Sequence, residues 1–159
     1  MAQKLQLENF LPYRLNRAAA AASAQLSSIY RQKYGLTVPE WRTLSTLAQF
    51  GELTAKQIGS HSSMHKTKVS RAVSSLNARR WLTRKRDTAD RRLEKLNLTA
   101  RGEQAYKQLE PQMLDFEVQL LSGLTAAERD GMLHGIAILE KALGVLDNQG
   151  RGLVKTRQA

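Results

Sequence analysis

Most charged side chains of this chain are cationic, and about half of the cations lie in one segment of the sequence. Residues 56–101 hold 13 Lys and Arg against 3 Asp and Glu, a net charge of +10 out of +11 for the whole chain. A lysine ammonium group binds phosphate as a point charge, and an arginine fork can pair with two acceptors on one guanine edge. Because the charge is concentrated in one segment, it predicts an anionic partner for that segment.

The other reactive residue types form no recognisable catalytic motif. The chain has no cysteine, which excludes disulfides, thiolate metal sites and cysteine redox chemistry. It also has no nucleophile elbow, phosphate loop or HExxH motif. His61 and His65 are four residues apart, a spacing that metal sites use, but they straddle a predicted turn with no carboxylate close in sequence. We therefore expect no enzyme activity, cofactor or metal, and a metal-responsive protein is the weaker alternative.

The hydropathy pattern gives no sign of a membrane protein. No apolar run reaches the length of about 18 residues that would span a bilayer. The first residues, MAQKLQLENF, lack the apolar core of a secretory signal. With no cysteine present, these features favour the cytoplasm and no membrane partner.

Helix-start signals recur along the chain. A threonine with Glu or Gln three residues later is a capping box, and this pattern occurs at Thr37, Thr54 and Thr125. Each predicts the start of a helix. A further helix is predicted over residues 5–34, ended by Gly35, which suits the left-handed conformation that closes a helix.

The segment after the Thr54 box has the pattern of a helix-turn-helix. Val69, Val73 and Leu76 fall at helical spacing on one face, and the opposite face is polar and basic. A short helix, a tight turn and a second helix with a basic outer face are typical of this motif, whose second helix enters the DNA major groove. The residues predicted to contact DNA from this helix are Lys66, Thr67, Lys68, Ser70, Arg71 and Ser74.

After Arg80 the hydrophobic period changes from helical to alternating. Residues 81–86 and 93–98 flank DTADRR, in which Asp87 and Asp90 are turn formers. The pattern predicts a two-stranded hairpin. A hairpin directly after a helix-turn-helix is a wing, so the predicted fold class is mostly α with a small β-hairpin wing.

Two long helices are predicted to follow the hairpin, over residues 99–123 and from Thr125 to about residue 147. The second places Met132, Ile136 and Leu139 at steps of three and four residues. A single small lobe cannot cover the apolar faces of these helices and of the first helix, so we expect the chain to pair with a second copy. Residues 148–159 are rich in Gly and charge and are expected to lack stable structure.

The order of these elements resembles the MarR family of bacterial transcription regulators. The tip DTADRR followed by LNLTARG matches the most distinctive signature of that family, and KTKVSRAVSSL resembles its recognition helix. The resemblance covers about residues 5–146. It implies one winged helix-turn-helix domain over residues 1–159, with dimerisation helices at about 5–34 and 99–147 and a DNA-binding lobe at about 37–98. It also implies a homodimeric repressor that binds a palindromic operator and releases it when a small molecule binds.

The basic residues of the helix and the hairpin are predicted to have different roles on DNA. Arg71 is the best candidate for a guanine contact, and the lysines of the same helix more naturally bind phosphate. At the tip, Arg91 or Arg92 is expected to enter the minor groove while Asp90 holds a guanidinium in place. The predicted wing contacts are Arg84, Arg86, Asp90, Arg91 and Arg92.

An effector site is predicted where the lobes are expected to meet. An arginine beside aromatic surface suits a carboxylate on a flat ring or a phosphate-bearing thioester. We expect an aromatic carboxylate or its coenzyme A thioester. The structural alternatives are that Trp41 belongs to the core and that the arginines form ion pairs. The candidate effector residues are Tyr13, Arg14, Arg17, Tyr30, Trp41, Met64 and His65.

A different class of protein fits the same charge. An architectural or RNA-binding protein would use residues 56–101 without sequence choice, with steep salt dependence and little preference among duplexes. A regulator holds a palindromic operator far more tightly than random DNA. No aromatic platform of the kind that stacks RNA bases is evident near the basic segment, which favours duplex DNA. We expect a cytoplasmic protein that is nucleoid-associated when bound to DNA.

Overall fold

The computed structural model describes residues 4–86 and 93–145, which are mostly helical with one small sheet. By its contacts the chain divides into two compact units, the first ending at Val38 and the second beginning at Pro39. None of the described helices is long and apolar enough to cross a membrane. In chain order the elements are a 3-10 turn at Leu7–Asn9, α1 (Leu11–Tyr34), α2 (Val38–Phe50), β1 (Leu53–Thr54), α3 (Ala55–His61), α4 (Lys66–Ala78), β2 (Leu82–Arg86), β3 (Glu94–Leu98), α5 (Ala100–Leu121) and α6 (Ala126–Ala142).

The first unit consists of the 3-10 turn and α1. The sequence predicted one helix over residues 5–34, but the backbone is extended at Phe10, which separates the turn from α1. Pro12 accounts for the break, because the proline ring would clash with the carbonyl four residues earlier and proline has no N–H to donate. A helix can therefore begin at Pro12 but cannot continue through it. The end of α1 is as predicted: Gly35 is left-handed, with φ of 62°, and its N–H donates to the Arg31 carbonyl at 2.8 Å.

In the second unit, α3 and α4 form the helix-turn-helix. The predicted capping box at Thr54 is present. The Thr54 side chain accepts a hydrogen bond from the Gln57 N–H, and the Gln57 side chain accepts one from the Thr54 N–H. In the turn, Ser63 is left-handed and the Met64 N–H donates to the Gly59 carbonyl at 2.9 Å. A Cβ at Gly59 would lie 3.0 Å from the Met64 carbonyl oxygen. Glycine therefore allows the turn to fold back this closely.

The sheet has three strands, in the order β1-β3-β2, where the sequence predicted two. β2 and β3 form the predicted antiparallel hairpin, with Leu82 opposite Leu98. β1 pairs with the other edge of β3, with Leu53 opposite Leu96. A two-residue strand shows no alternation in the sequence, and only its pairing with β3 makes it a strand.

The core of the second unit is formed by α2, α3, α4, the sheet and the first half of α5. The predicted apolar face of α4 is confirmed: Val69, Ala72, Val73 and Leu76 are at most 3% exposed. Burying one large aliphatic side chain contributes about 1.5–3 kcal/mol, so this stripe fixes the rotation of α4 about its own axis. The other large side chains buried here include Leu44, Leu47, Ile58, Leu82, Leu96 and Leu109.

The start of α5 is tied to the base of the hairpin. The Thr99 side chain accepts from the Gly102 N–H at 3.2 Å, and its hydroxyl donates to the Arg80 carbonyl at 2.8 Å. The Trp81 carbonyl accepts from the Thr99 N–H at 3.0 Å and lies so close to Gly102 that a Cβ there would overlap it. These contacts give a physical reason for two residues of the LNLTARG segment: Thr99 caps the helix, and Gly102 leaves room for the Trp81 carbonyl.

The second half of α5 and all of α6 expose apolar side chains. α6 begins with the predicted capping box of Thr125 and Glu128, and none of its 17 residues is buried. Over the described residues the chain therefore leaves an apolar surface uncovered on these helices. Its large side chains are Leu114, Val118, Leu120, Met132, Leu133, Ile136, Ile138 and Leu143.

Candidate nucleic-acid interface

α4 presents the predicted DNA-contact face to solvent. Its apolar stripe is buried, and the six side chains predicted to touch DNA are all exposed. The helix has 13 residues and is therefore about 20 Å long at a rise of about 1.5 Å per residue. A helix of this length fits the B-DNA major groove. The exposed face consists of Lys66, Thr67, Lys68, Ser70, Arg71 and Ser74.

The cations on this face have no acidic partner within the part of the chain that the structure describes. No described carboxylate lies within ion-pair distance of Lys66, Lys68 or Arg71. α4 itself contains no Asp or Glu. The charges and hydrogen-bond donors of these side chains therefore remain available for an anion or a base edge.

His65 stands at the start of this helix. It is the N-cap of α4, and its Nδ1 accepts from the Thr67 N–H at 3.4 Å. The contact satisfies one of the backbone donors that a helix start leaves unpaired. The histidine predicted to bind an effector thus has a local structural contact.

β2 carries three consecutive cations. Arg84 is opposite Leu96 and Lys85 is opposite Lys95 in the register with β3. Because successive side chains of a strand point to opposite faces, Arg84 and Arg86 share one face and Lys85 lies on the other. All three side chains are exposed.

Two of the hairpin cations have carboxylate partners. Arg84 Nε lies 3.6 Å from Glu94 Oε2, and Lys95 Nζ lies 3.2 Å from Glu52 Oε1. Exposed pairs of this kind contribute about 0–1 kcal/mol, so Arg84 can exchange its carboxylate for a phosphate at little cost. The predicted tip contacts lie outside the described residues: Asp90, Arg91 and Arg92.

The structure adds two cations that sequence reasoning did not select. Arg42 Nη1 on α2 donates to the Ser62 carbonyl at 3.4 Å, at the turn of the helix-turn-helix. Lys56 at the start of α3 lines the same cavity as Lys66 at the start of α4. The sequence held no signal that Lys56 and Lys66 line one cavity, because this depends on how α3 packs on α4.

Four of the seven predicted effector residues lie on α1. Tyr13 and Arg17 are together, with Arg17 Cζ 5.7 Å from the centroid of the Tyr13 ring. Arg14 is exposed on the same helix, whereas Tyr30 is buried and only 1% exposed. In the first unit the structure therefore brings together an arginine and an aromatic ring, as the helical spacing predicted.

The other three predicted effector residues lie in the second unit. Trp41 stacks on Tyr106 with ring centroids 5.9 Å apart, which joins α2 to α5. Burial raises the pKa of Tyr106, and a hydrogen bond with Glu110 raises it further. Met64 is buried between α3 and α4, and His65 caps α4. Trp41 therefore packs against a neighbouring helix, and it is half-buried rather than part of the buried core.

The structure gives the two neighbouring histidines separate surroundings. The His61 ring packs edge-on against Phe50 with centroids 4.5 Å apart, and His65 caps α4. Within residues 4–86 and 93–145, no three His, Cys, Asp or Glu side chains are grouped so that they could hold a metal ion.

Comparison with known proteins points to one family. The family model described as MarR family matches residues 34–93, which span the helix-turn-helix and β2. YwoH, an uncharacterized HTH-type transcriptional regulator of Bacillus subtilis (strain 168), is 27% identical over 124 residues, which cover 78% of this chain and 89% of that protein. Over residues 34–93 the chain matches the MarR family. The match indicates a DNA-binding transcriptional regulator, and the family and its relatives are regulators, which are not enzymes.

Two solved structures show the same fold. One is Sco3205, a MarR family transcriptional regulator from Streptomyces coelicolor that was solved in complex with DNA. It matches with a TM-score of 0.76 and 20% sequence identity, and the match covers 94% of this chain and 95% of Sco3205. NadR, solved in complex with 4-hydroxyphenylacetate, has a TM-score of 0.70 and 22% identity, covering 91% of this chain and 95% of that one. These likenesses confirm the winged helix-turn-helix fold of this chain.

Proposed function

We propose that this chain is a cytoplasmic homodimeric repressor of the MarR family that binds a palindromic operator and releases it when a small-molecule effector binds. The observation that carries the proposal is the outer face of α4, where Lys66, Lys68 and Arg71 are exposed without a described carboxylate partner. Sco3205 has the same fold and was solved with DNA, which supports a DNA-bound role for α4. Arg71 reads a guanine edge, and the two lysines bind phosphate.

Selection of random duplexes by the purified protein tests this function. A palindromic motif is expected, with half-sites about 10 base pairs apart or a multiple of that spacing. The variant Arg71→Ala should lose the preference at one base position and keep its binding to random DNA. If no motif is enriched and binding falls steeply with salt for every duplex, the protein is a non-specific architectural or RNA-binding protein instead.

In the wing, Arg84 and Arg86 follow the phosphates, Arg91 or Arg92 enters the minor groove, and Asp90 positions them. The ion pair of Arg84 is exposed and weak, which supports this role. Replacing Arg92 with Ala should weaken operator binding and leave thermal unfolding unchanged. Unchanged affinity in both the Arg91→Ala and the Arg92→Ala proteins would remove the wing tip from the interface.

A second copy of the chain covers the apolar surface of α5 and α6 in the proposed dimer. Val118 is 68% exposed and Ile136 is 46% exposed in the single chain, which supports this assignment. Analytical ultracentrifugation should give a species of twice the 17.8 kDa chain mass. Ile136→Asp should shift it toward the monomer, whereas Arg129→Ala on the same helix should not. A monomer in the wild type would refute the dimer.

The proposed effector is an aromatic carboxylate or its coenzyme A thioester. The pairing of Arg17 with the Tyr13 ring on α1 supports a site for an anionic aromatic compound, and NadR was solved with such an acid. The purified protein is titrated with these compounds while tryptophan fluorescence and DNA retention are followed. Release of the operator by at least one compound is expected, and no response across the panel would remove the effector from the proposal.

A further inference from the structure

β2 is an open edge of the sheet. The strand order is β1-β3-β2, and no described strand lies beyond β2. Residues 83–86 of this strand are all exposed, so no described element covers them. The edge of a sheet presents a row of backbone N–H and C=O groups with which another extended chain can pair. β2 therefore offers a docking surface that the described part of the chain does not fill.

The register shows which backbone groups of β2 point outward. The Thr99 N–H donates to the Trp81 carbonyl at 3.0 Å, which makes this pair, next to the end of the ladder, a hydrogen-bonded one. Along an antiparallel ladder such pairs alternate with pairs that exchange no hydrogen bonds. Lys85 therefore directs its N–H and C=O toward β3, whereas Arg84 and Arg86 direct theirs away from it.

The side chains of β2 select the chemistry of a partner strand. Among the described residues only Arg84 of the three cations has an ion-pair partner, Glu94, and that pair is exposed and weak. A second copy of β2 would set like charges opposite one another, which destabilises paired strands. A strand with carboxylates opposite Arg84 and Arg86 would pair with both. The charge of this edge therefore favours an acidic partner over a second copy of the chain.

We infer that the outer edge of β2 binds an extended acidic segment of another protein, which adds an antiparallel strand to the sheet. In this mode of recognition the main-chain hydrogen bonds give affinity and alternate side chains give specificity. A DNA phosphate can accept from the outward N–H groups, but it repels the C=O groups that lie between them. An extended backbone supplies a donor for each C=O as well as an acceptor for each N–H.

The acidic segment and the operator compete for β2. In the proposed function Arg84 and Arg86 follow the DNA phosphates, and a strand bound at this edge pairs the same two side chains with carboxylates. Each partner then lowers the affinity of the protein for the other by the same factor. The competition rests on the proposed function, whereas binding of the acidic strand does not.

The probe is a peptide of alternating glutamate and threonine, about nine residues long, which is within the usual length of a strand. In an antiparallel pair, opposite residues share one face and one set of hydrogen bonds. The glutamates that face Arg84 and Arg86 therefore also direct their N–H groups toward β2, and the threonines direct theirs to solvent. N-methylation of the glutamates removes the donors to β2, and N-methylation of the threonines is the matched control.

Titration followed by nuclear magnetic resonance measures the affinity of the full-length protein for each peptide, and amide exchange reports which N–H groups become bonded. The unmodified and the threonine-methylated peptides are expected to bind and to slow exchange at Arg84 and Arg86 but not at Lys85, which is already bonded to β3. The glutamate-methylated peptide and a lysine-threonine peptide should not bind. No binding of the unmodified peptide to the folded protein, or equal binding of the two methylated peptides, overturns the inference.

Substitutions in β2 separate charge from backbone. Arg84→Gln should lower the affinity for the peptide about threefold, the loss of one exposed ion pair, whereas Lys85→Gln removes the same charge from the other face and should match the wild type. Arg84→Pro also removes the outward N–H and should bind about fivefold more weakly than Arg84→Gln. Proline is tolerated in an edge strand where the N–H faces solvent, and circular dichroism checks the fold. Equal affinity of the folded Gln and Pro proteins also overturns the inference.

The inference and the proposed function fail separately. Fluorescence anisotropy of the selected operator measures whether the peptide weakens DNA binding. If the peptide protects the Arg84 amide and no operator is selected, the proposed function fails and the docking surface stands. If the operator binds and the peptide does not, only the docking surface is refuted. Unchanged operator affinity at a saturating concentration of bound peptide refutes the competition.

Discussion

Replacing Gly102 with Ala should destabilise the protein, although the same change inside a helix normally stabilises it. Gly102 lies in the first turn of α5, where alanine is favoured over glycine by about 1 kcal/mol. At this position, however, the added Cβ would overlap the Trp81 carbonyl oxygen. The obstacle is backbone, not the end of a flexible side chain, so α5 or the base of the hairpin must shift.

The contacts around Gly102 set the size of the effect. Forcing an extra carbon into a packed site costs about 1–3 kcal/mol. The shift also strains the hydrogen bond from the Thr99 N–H to the Trp81 carbonyl, 3.0 Å long, which contributes about 1 kcal/mol. Subtracting the gain in helix propensity, about 1 kcal/mol, leaves a net loss of about 1–3 kcal/mol in the free energy of unfolding. For a chain of this size the thermal midpoint should fall by about 2–4 °C for each kcal/mol.

Urea and thermal unfolding at one fixed protein concentration measure this loss. The matched control is Gly131→Ala in α6, where no described residue outside the adjoining backbone of that helix lies within 4 Å of the added Cβ. The control should be up to about 1 kcal/mol more stable than the wild type, since only helix propensity changes. If Gly102→Ala is as stable as the wild type, the close approach of α5 to the hairpin is not a constraint on the fold.

Three further results are expected. Arg71→Ala should weaken operator binding by about 1–3 kcal/mol and remove the base preference at one position. Lys68→Ala should weaken binding to all duplexes alike and reduce the salt dependence of the affinity. Gel shifts at several salt concentrations measure both effects. The Thr125 backbone N–H, and then the Thr125 side chain, hydrogen-bond to Glu128 and lower its pKa. The stability that Glu128 gives to α6 is therefore present at neutral pH and is lost as the pH falls through that lowered pKa. Circular dichroism at acid pH should show this loss in the wild type and not in Glu128→Gln. Burial and the hydrogen bond with Glu110 raise the pKa of Tyr106, so the contribution of Tyr106 to stability is lost as the pH rises through the raised value. In urea titrations, Tyr106→Phe should therefore lose less of its free energy of unfolding at alkaline pH than the wild type.

Features built from residues close in sequence were predictable. The capping boxes at Thr54 and Thr125 both form with reciprocal hydrogen bonds, because all their atoms lie within one helical turn. The outer face of α4 follows equally from sequence, since burying the stripe of Val69, Val73 and Leu76 leaves only one side for the polar residues.

Features that depend on distant segments were not predictable. β1 is a strand only because Leu53 meets Leu96, and the two residues alone have no strand pattern. The break at Phe10, by contrast, is a local feature that Pro12 could have predicted, because proline fits only the first turn of a helix. The cavity shared by Lys56 and Lys66 depends on how α3 packs on α4, which no spacing along the chain specifies.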